Sequence, residues 1–233
     1  MESKCKIIKL DYQKSYHFVR YLIDRNDWQY EINKSKSKSL IIKDHFNQII
    51  EFTLPIIFPE IYQNEPLSDY LNKINLVPSN YFIILIQAGN CALGHFCNNR
   101  LMDHKVIKKY MVRKKQGKAQ ITYLKKKGKS RLGSRIRLAN TTRFFIEINE
   151  VLSKWFTKSE VFKIFYSCTP YLWGLLFRVK VKTPFNKKDA RIKKIPIDVK
   201  IPNFKELIYI NKFILSGRLQ IYDEKYADIV YRI

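Results

Sequence analysis

The clearest pattern of hydrophobic and polar positions lies between residues 81 and 112. It consists of three apolar or alternating runs, YFIILIQ, CALGHF and LMDHKVIKKYMV, separated by the dipeptides GN and NN. Runs of this kind joined by short Gly and Asn turns are typical of an antiparallel meander. The sequence therefore predicts three consecutive strands that pair with one another.

A helical repeat follows the meander after a polar interval. Its apolar members recur at intervals of three and four residues: Phe144, Phe145, Ile148, Val151, Leu152 and Trp155. This spacing aligns them on one face of a helix. Asn140 and Thr141 precede the repeat, and both residue types cap helix N-termini. The pattern predicts a helix that begins near Asn140.

The remaining elements are shorter. EVFKIFYS predicts a buried strand, PYLWGLLF a short helix or turn, and the proline-containing IKKIPIDVKIP an extended edge,. Asn203, three residues before Glu206, predicts a capped helix over NFKELIYINKFI, and GRLQIYDE predicts a last strand,. Upstream, SYHFVRYLIDRNDWQY has a helical rhythm and PIIFPEIY is irregular,.

Strands first, then strands alternating with helices, predict an α/β (α+β) domain with a mixed sheet and packed helices. We expect this domain to occupy residues 76–233. Residues 1–75 form an N-terminal region to which the sequence assigns no role.

The composition indicates a folded core and a strong positive charge. The chain has 233 residues, of which 46% are hydrophobic, and its 44 Lys and Arg against 20 Asp and Glu give a formal charge of +24. A polyanionic partner, most often nucleic acid, is the expectation for such a chain. Neither the four cysteines nor the four histidines have metal-ligand spacing, and no apolar run reaches membrane-spanning length. We expect a monomeric cytoplasmic protein without metal, cofactor or membrane contact.

The charge is concentrated in one segment. Between Asp103 and Glu147 there is no acidic residue. The basic residues of this block that we assign to RNA binding are Arg113, Lys114, Lys115, Lys118, Lys125, Lys126, Lys127, Lys129, Arg131, Arg135 and Arg137. A solvated surface normally mixes both signs of charge, so the block indicates phosphate binding. Small residues such as Gly117, Gly128 and Gly133 favour a loop over residues 113–139,.

The order of these motifs resembles a known family. A strand with small residues, IQAGNCALGHF, precedes a His-Lys strand, DHKVIKKYMVRKKQG, which leads into the Gly-x-x-Gln sequence GKAQ; GSRIRLAN, a helix and then IPIDVKIPNFKEL follow. This order is similar to the release-factor-like domain of the ankyrin-repeat and zinc-finger peptidyl-tRNA hydrolases of ribosome quality control. The resemblance covers roughly residues 80 to 225, and the chain looks like a compact bacterial-type member.

The resemblance implies an RNase H-like fold, as in the middle domain of the eukaryotic class I release factor. It implies that Gly117 and Gln120 are the catalytic pair of a Gly-x-x-Gln loop that enters the peptidyl-transferase centre. Gln116, Ala119, Gly133 and Asn140 would support this loop, although release factors have Gly where Ala119 stands. The implied partners are large-subunit rRNA and the CCA end of P-site peptidyl-tRNA. The implied activity is release of nascent chains on stalled or split large subunits.

Two alternatives remain open at this point. A glutamine is not a general base at neutral pH, so Gln120 would act by orienting water and stabilising an oxyanion. The same loop could instead direct a ribose 2′-hydroxyl onto the neighbouring phosphate and cut the tRNA near its CCA end. A different class of function is a non-catalytic protein whose basic loop only anchors it to rRNA.

Overall fold

A computed structural model describes residues 5–25, 27–33, 38–44, 47–111 and 131–231, and within these ranges the side chains of 131–137 and 230–231 are left aside. The chain divides into two compact units. The terminal unit comprises residues 1–79 with 209–233, and the central unit comprises residues 80–208. Each unit has a five-stranded sheet. The protein is thus of the mixed α+β class.

The terminal unit is built on an antiparallel sheet of order β1-β10-β4-β3-β2. Its elements are β1 (Lys6–Leu10), α1 (Tyr12–Ile23), β2 (Trp28–Asn33), β3 (Ser39–Asp44), β4 (Asn47–Thr53), α2 (Leu67–Asn72), β10 (Gly217–Ile221) and a 3-10 helix (Glu224–Tyr231). Asp11 caps α1, since its carboxylate accepts from the backbone N–H of Lys14 at 2.8 Å. The buried ring of Phe18 on α1 meets Phe52 of β4 edge to face at 4.7 Å.

The unit boundaries differ from the predicted division at residue 76. The predicted last strand exists as β10, but it pairs with β1 on one side and β4 on the other. Because those hydrogen bonds join it to N-terminal strands, residues 209–233 group with residues 1–79. Close packing fixes the start of β10: a Cβ on Gly217 would lie 2.6 Å from the hydroxyl of Ser15 and 2.7 Å from the Phe52 ring.

The central unit contains the predicted meander. Its elements are β5 (Tyr81–Gln87), β6 (Asn90–Cys97), β7 (Arg100–Lys108), α3 (Arg131–Phe156), β8 (Lys163–Ser167), α4 (Pro170–Leu176), β9 (Ile192–Lys194) and the first residues of α5 (Phe204–Leu215). The sheet order is β7-β6-β5-β8-β9. β5, β6 and β7 are antiparallel neighbours, whereas β8 and β9 run parallel to β5. An antiparallel meander extended by two parallel strands is the RNase H-like arrangement that the resemblance implied.

Helix α3 covers one face of this sheet. Its apolar stripe, predicted from the spacing, is confirmed: Phe144, Phe145, Ile148 and Leu152 are fully buried, and Trp155 is nearly so. They pack with alternate residues of the strands, Phe82, Ile84, Ile86, Leu93 and Ile107. The other face of β6 is covered at Gly94, where an added Cβ would lie 3.0 Å from Leu207 of α5. β5 is buried on both faces, which explains its continuous apolar run,.

The start of α3 was predicted wrongly. The helix begins at Arg131, not near Asn140, so residues 131–139 are helical and not part of a loop over 113–139. The physical reason is that RLGSRIRLA consists largely of good helix formers, and Gly133 alone does not interrupt it,. Asn140 and Thr141 therefore lie inside the helix and do not cap it.

The capping prediction for α5 is confirmed. Asn203 Oδ1 accepts a hydrogen bond from the backbone N–H of Glu206 at 2.8 Å. Glu206 does not complete the reciprocal half of the motif. Its carboxylate accepts from the backbone N–H of Lys200 at 3.1 Å, which fastens the preceding IPIDVKIP segment to the helix.

Candidate functional site

The residues predicted to carry the chemistry fall mainly in the segment 112–130, outside the described residues. These are the catalytic pair Gly117 and Gln120, the supporting Gln116 and Ala119, and the cations Arg113, Lys114, Lys115, Lys118, Lys125, Lys126, Lys127 and Lys129. Arg131, Gly133, Arg135 and Arg137 lie on the first turns of α3, where the backbone alone is described. Asn140 is described in full. The structure therefore defines the frame from which segment 112–130 extends.

That frame is the carboxyl edge of the central sheet. β5 and β7 are both antiparallel to β6, so they run in the same direction. β8 and β9 share that direction, because β8 is parallel to β5 and β9 is parallel to β8. The four strands thus end at one edge, near Gln87, Lys108, Ser167 and Lys194. The side-chain amide of Gln87 donates to the carbonyl of Val199 at 2.8 Å across this edge. In sheets with parallel strands, this edge is where ligands and reacting groups are usually held.

Gly89 fixes the chain as it leaves β7. The backbone N–H of Lys109 donates to the Gly89 carbonyl at 2.9 Å. Gly89 has a φ of +82°, and a Cβ added there would lie 2.4 Å from the Lys109 carbonyl oxygen. Only glycine combines this left-handed backbone with so close an approach. The turn between β5 and β6 therefore holds the start of the exit from β7.

Two side chains of α3 hold the same exit from the other side. Asn140 Nδ2 donates to the carbonyl of Tyr110 at 3.1 Å. Glu147, two turns further along, pairs with the ammonium of Lys109 at 2.9 Å. We refer to Gly89, Lys109, Tyr110, Asn140 and Glu147 as the segment root. Met111, the last described residue before segment 112–130, packs against the core beside them.

The two acids that border the acid-free block are both engaged. Glu147 pairs with Lys109, and Asp103 Oδ2 accepts from the indole N–H of Trp155 at 2.8 Å. Lys105 and Lys108 on β7 and Arg143 on α3 are exposed to solvent. Lys109 neutralises Glu147, whereas Asp103 keeps its negative charge because an indole N–H is neutral. The three exposed cations outnumber Asp103 and Glu150, so this surface carries a net positive charge.

A buried histidine lies behind this surface. His95 on β6 is 7% exposed, faces Phe82 edge to face at 5.0 Å and contacts the Trp155 ring at 6.1 Å. Asp103 is its register partner on β7. Burial lowers the pKa of His95, and the Asp103 carboxylate partly opposes that shift. The sequence does not reveal the Asp103–Trp155 contact, because it depends on the packing of α3 against β7.

Stability is expected to fall in mild acid because of His95. Its folded pKa is lowered, so the neutral ring is favoured in the native state, and the unfolded chain takes up a proton first as pH falls below about 6.5,. The contribution is complete above that pH and is lost below it. The free energy of unfolding in urea should differ less between pH 7.5 and pH 5.5 for His95→Gln than for the wild type. His104→Gln, an exposed histidine on β7, is the control and should keep the wild-type difference. Equal differences for all three proteins would contradict this role of His95.

The thiols of Cys91 and Cys168 are poor nucleophiles. Burial raises the pKa of Cys91 well above its usual value and that of Cys168 to about 12, so both remain protonated near neutral pH,. Within the described ranges, no group of three or more His, Cys, Asp or Glu side chains is placed to hold a metal ion. No helix in the same ranges is long and apolar enough to cross a membrane.

Comparison with known proteins defines the family. Residues 81–222 match the family described as Bacteroidetes VLRF1 release factor. The match spans the whole RNase H-like sheet, the segment root and the Gly-x-x-Gln sequence. The chain belongs to this release factor family.

The chain is also similar to two individual proteins. The chain is 28% identical over 137 residues to a Caenorhabditis elegans protein named tRNA endonuclease vms-1. The aligned region covers 57% of this chain and 22% of that protein, so the chain spans about a fifth of its curated relative. A solved structure titled "Vms1 mitochondrial localization core" is similar over 88% of this chain and 83% of its own, with 15% identity and a TM-score of 0.49.

Proposed function

We propose that the protein frees nascent chains from peptidyl-tRNA on stalled or split large ribosomal subunits, with Gln120 directed into the peptidyl-transferase centre. The observation that carries the proposal is the release factor family match over residues 81–222. Within that range, GKAQ at 117–120 falls in the sequence between β7, which ends at the carboxyl edge of the sheet, and α3. We further propose a monomeric cytoplasmic protein that acts without a cofactor.

The chemistry assigned to Gln120 is positioning and electrostatic stabilisation. Its amide orients a water against the ester carbonyl and donates to the oxyanion that develops, a contribution of about 3 to 4 kcal/mol for one such donor in other acyl-transfer sites. Gly117 gives the backbone freedom that the tip requires. The ribosome supplies the rest of the site. The thiols of Cys91 and Cys168 in the central unit are protonated near neutral pH and do not compete with this water as nucleophiles.

The cations have a separate role in the proposal. Arg113, Lys114, Lys115, Lys118, Lys125, Lys126, Lys127, Lys129, Arg131, Arg135 and Arg137 bind RNA phosphates and thereby hold the tip in place. Gln116, Ala119, Gly133 and Asn140 support the segment. For Asn140 the support is a specific contact, its hydrogen bond to the Tyr110 carbonyl. That bond joins α3, which follows the segment, to the end of β7, which precedes it.

A second candidate reaction is cleavage of the tRNA itself. It is favoured by the name of the nematode relative, tRNA endonuclease vms-1. A ribose 2′-hydroxyl would attack the adjacent phosphate, form a 2′,3′-cyclic phosphate and expel the 5′-oxygen of the next nucleotide. Lys114, Lys115 or Lys118 would stabilise the pentacoordinate phosphate. Both reactions free the peptide, but they leave different tRNA ends.

The 3′ end of the tRNA product tests the two reactions directly. Purified protein is added to stalled large-subunit complexes that carry labelled peptidyl-tRNA, and the released tRNA is sequenced at its 3′ end. Ester hydrolysis is expected to leave an intact CCA terminus that can be aminoacylated again. A truncated terminus with a cyclic phosphate would establish cleavage of the tRNA instead. No released peptide in the presence of bound protein would contradict both proposals.

A further inference from the structure

A second basic surface lies in the central unit and includes no residue of segment 112–130. It follows α4 and crosses beside α3 to the start of β9. We call it the basic strap and define it by five exposed cations, Arg178, Lys180, Lys182, Lys187 and Lys188. None of the five forms an ion pair with a carboxylate in the part of the chain that the structure describes. The only acid within 177–191, Asp189, is held by Arg191 at 2.7 Å.

The strap is held firmly in place. Asn149, fully buried on α3, donates from Nδ2 to the carbonyls of Leu176 at 2.9 Å and Val181 at 2.7 Å. Phe185 is 7% exposed, and its ring lies 5.6 Å from Phe156 and 5.9 Å from Phe177. The Arg191 guanidinium closes the far end by donating to the Val161 carbonyl at 3.0 Å. The cations are therefore presented on an ordered scaffold, which reduces the entropy lost when they bind.

The chemistry of the strap fits a phosphate backbone. Its exposed positions are cationic, whereas its aromatic residues, Phe177 and Phe185, are turned into the core. Binding of single-stranded RNA relies on exposed aromatic rings that stack with bases, and the strap exposes none among its described residues. Double-helical RNA presents phosphates and hides its bases, so cations without stacking rings are suited to it.

We propose that the basic strap binds double-helical ribosomal RNA of the large subunit. The inference rests on the proposed function for the identity of its partner. Val181 of the strap lines one groove with Lys105 of β7 and with Glu147 of the segment root, so the strap lies beside that root. On the large subunit, where the proposed function places the protein, the double-helical RNA beside such a surface is the subunit's own.

Salt-dependent binding to vacant large subunits tests the proposal. The strap variant carries Lys180→Ala, Lys182→Ala and Lys187→Ala. Its affinity for subunits without tRNA is expected to fall at least about tenfold at 0.15 M salt, and the slope of log K against log salt to decrease by about 2 to 3. The matched control, Lys6→Ala, Lys9→Ala and Lys14→Ala, removes the same charge from exposed positions of the terminal unit and should bind as the wild type does. All three proteins are expected to melt at the same temperature.

The outcomes separate this inference from the proposed function. Equal binding by the strap variant and the wild type would overturn the strap's role, as would an equal loss in the control. A loss on free tRNA without a loss on vacant subunits would overturn the assignment to ribosomal RNA. Failure of the wild type itself to bind large subunits would overturn the proposed function, and with it the partner inferred here.

Discussion

Replacement of Gln120 by alanine is expected to lower peptide release by about 100- to 1000-fold, the loss seen when one oxyanion donor is removed from an acyl-transfer site. Binding to the large subunit should be unchanged, because the amide contributes to the reaction and the neighbouring cations contribute to binding. The measurement is single-turnover release of labelled peptide from stalled large subunits, with the bound fraction determined in parallel.

Contrasting variants make the result specific. Gln29→Ala, an exposed glutamine on β2, is expected to release at the wild-type rate. Charge reversal at Lys125, Lys126 and Lys127 is expected to weaken subunit binding, as it would for any rRNA-binding protein. A protein that only anchors to rRNA would be insensitive to Gln120→Ala. Wild-type release by that variant would therefore show that the role assigned to Gln120 is wrong.

Replacement of Gly89 by alanine is expected to destabilise the central unit by more than about 2 kcal/mol. The substitution combines two penalties, a left-handed backbone at a non-glycine residue and a steric clash of the new Cβ. The φ of +82° is unfavourable for alanine, and its Cβ would lie 2.4 Å from the Lys109 carbonyl oxygen. The chain can relieve this clash only by moving the exit from β7. Release is therefore expected to fall even at temperatures where the variant remains folded.

Gly174→Ala is the matched control for Gly89→Ala. Gly174 lies in α4, and an added Cβ there would meet nothing within 4 Å. Alanine should be neutral or stabilise by up to about 1 kcal/mol, since glycine is the poorer helix former. Chemical denaturation of both variants checks the pair. If Gly89→Ala unfolds at the same denaturant concentration as the wild type, Gly89 does not hold the segment root.

The central unit could be predicted from the sequence to a large extent. Its meander has short Gly and Asn turns, and the confirmed turn at Asn98 and Asn99 has the positive φ angles, 50° and 63°, that such residues tolerate,. The apolar stripe of α3 was equally clear. The start of α3 was not, because three arginines, a glycine and a serine within residues 131–139 resemble a charged loop. The RNase H-like strand order followed from the resemblance and not from the periodicity.

The terminal sheet was not predicted. Its strands are short, and Trp28 and Tyr30, which continue the helical rhythm of α1 in the sequence, belong to β2. The partner that stabilises β1 is β10, at the other end of the chain. Local pattern cannot reveal pairing over such a separation, since the hydrogen bonds and buried contacts that decide it lie outside any window of the sequence.

The sequence predicts the motif of the candidate site but not the contacts of the segment root that support it. Gln120 follows from the Gly-x-x-Gln sequence and its order among other motifs, and its role stays a prediction. The contacts of the segment root join residues that are distant in the sequence: Gly89 with Lys109, and Asn140 with Tyr110. Asn140 was interpreted as a helix cap because its residue type suits one. Its amide instead holds the end of the preceding strand, which only the position of α3 beside β7 makes possible.

The interior position of β10 has a consequence for biosynthesis. Lys6 of β1 pairs with Ile221 of β10, so β1 leaves the exit tunnel before the whole central unit and its partner strand leaves after it. The central unit is continuous in sequence and can assemble its sheet while synthesis proceeds,. The terminal sheet closes only after β10 has been made, and such long-range pairing is slow to form. A protein proposed to liberate other nascent chains thus cannot close its own terminal sheet until its central unit has been translated.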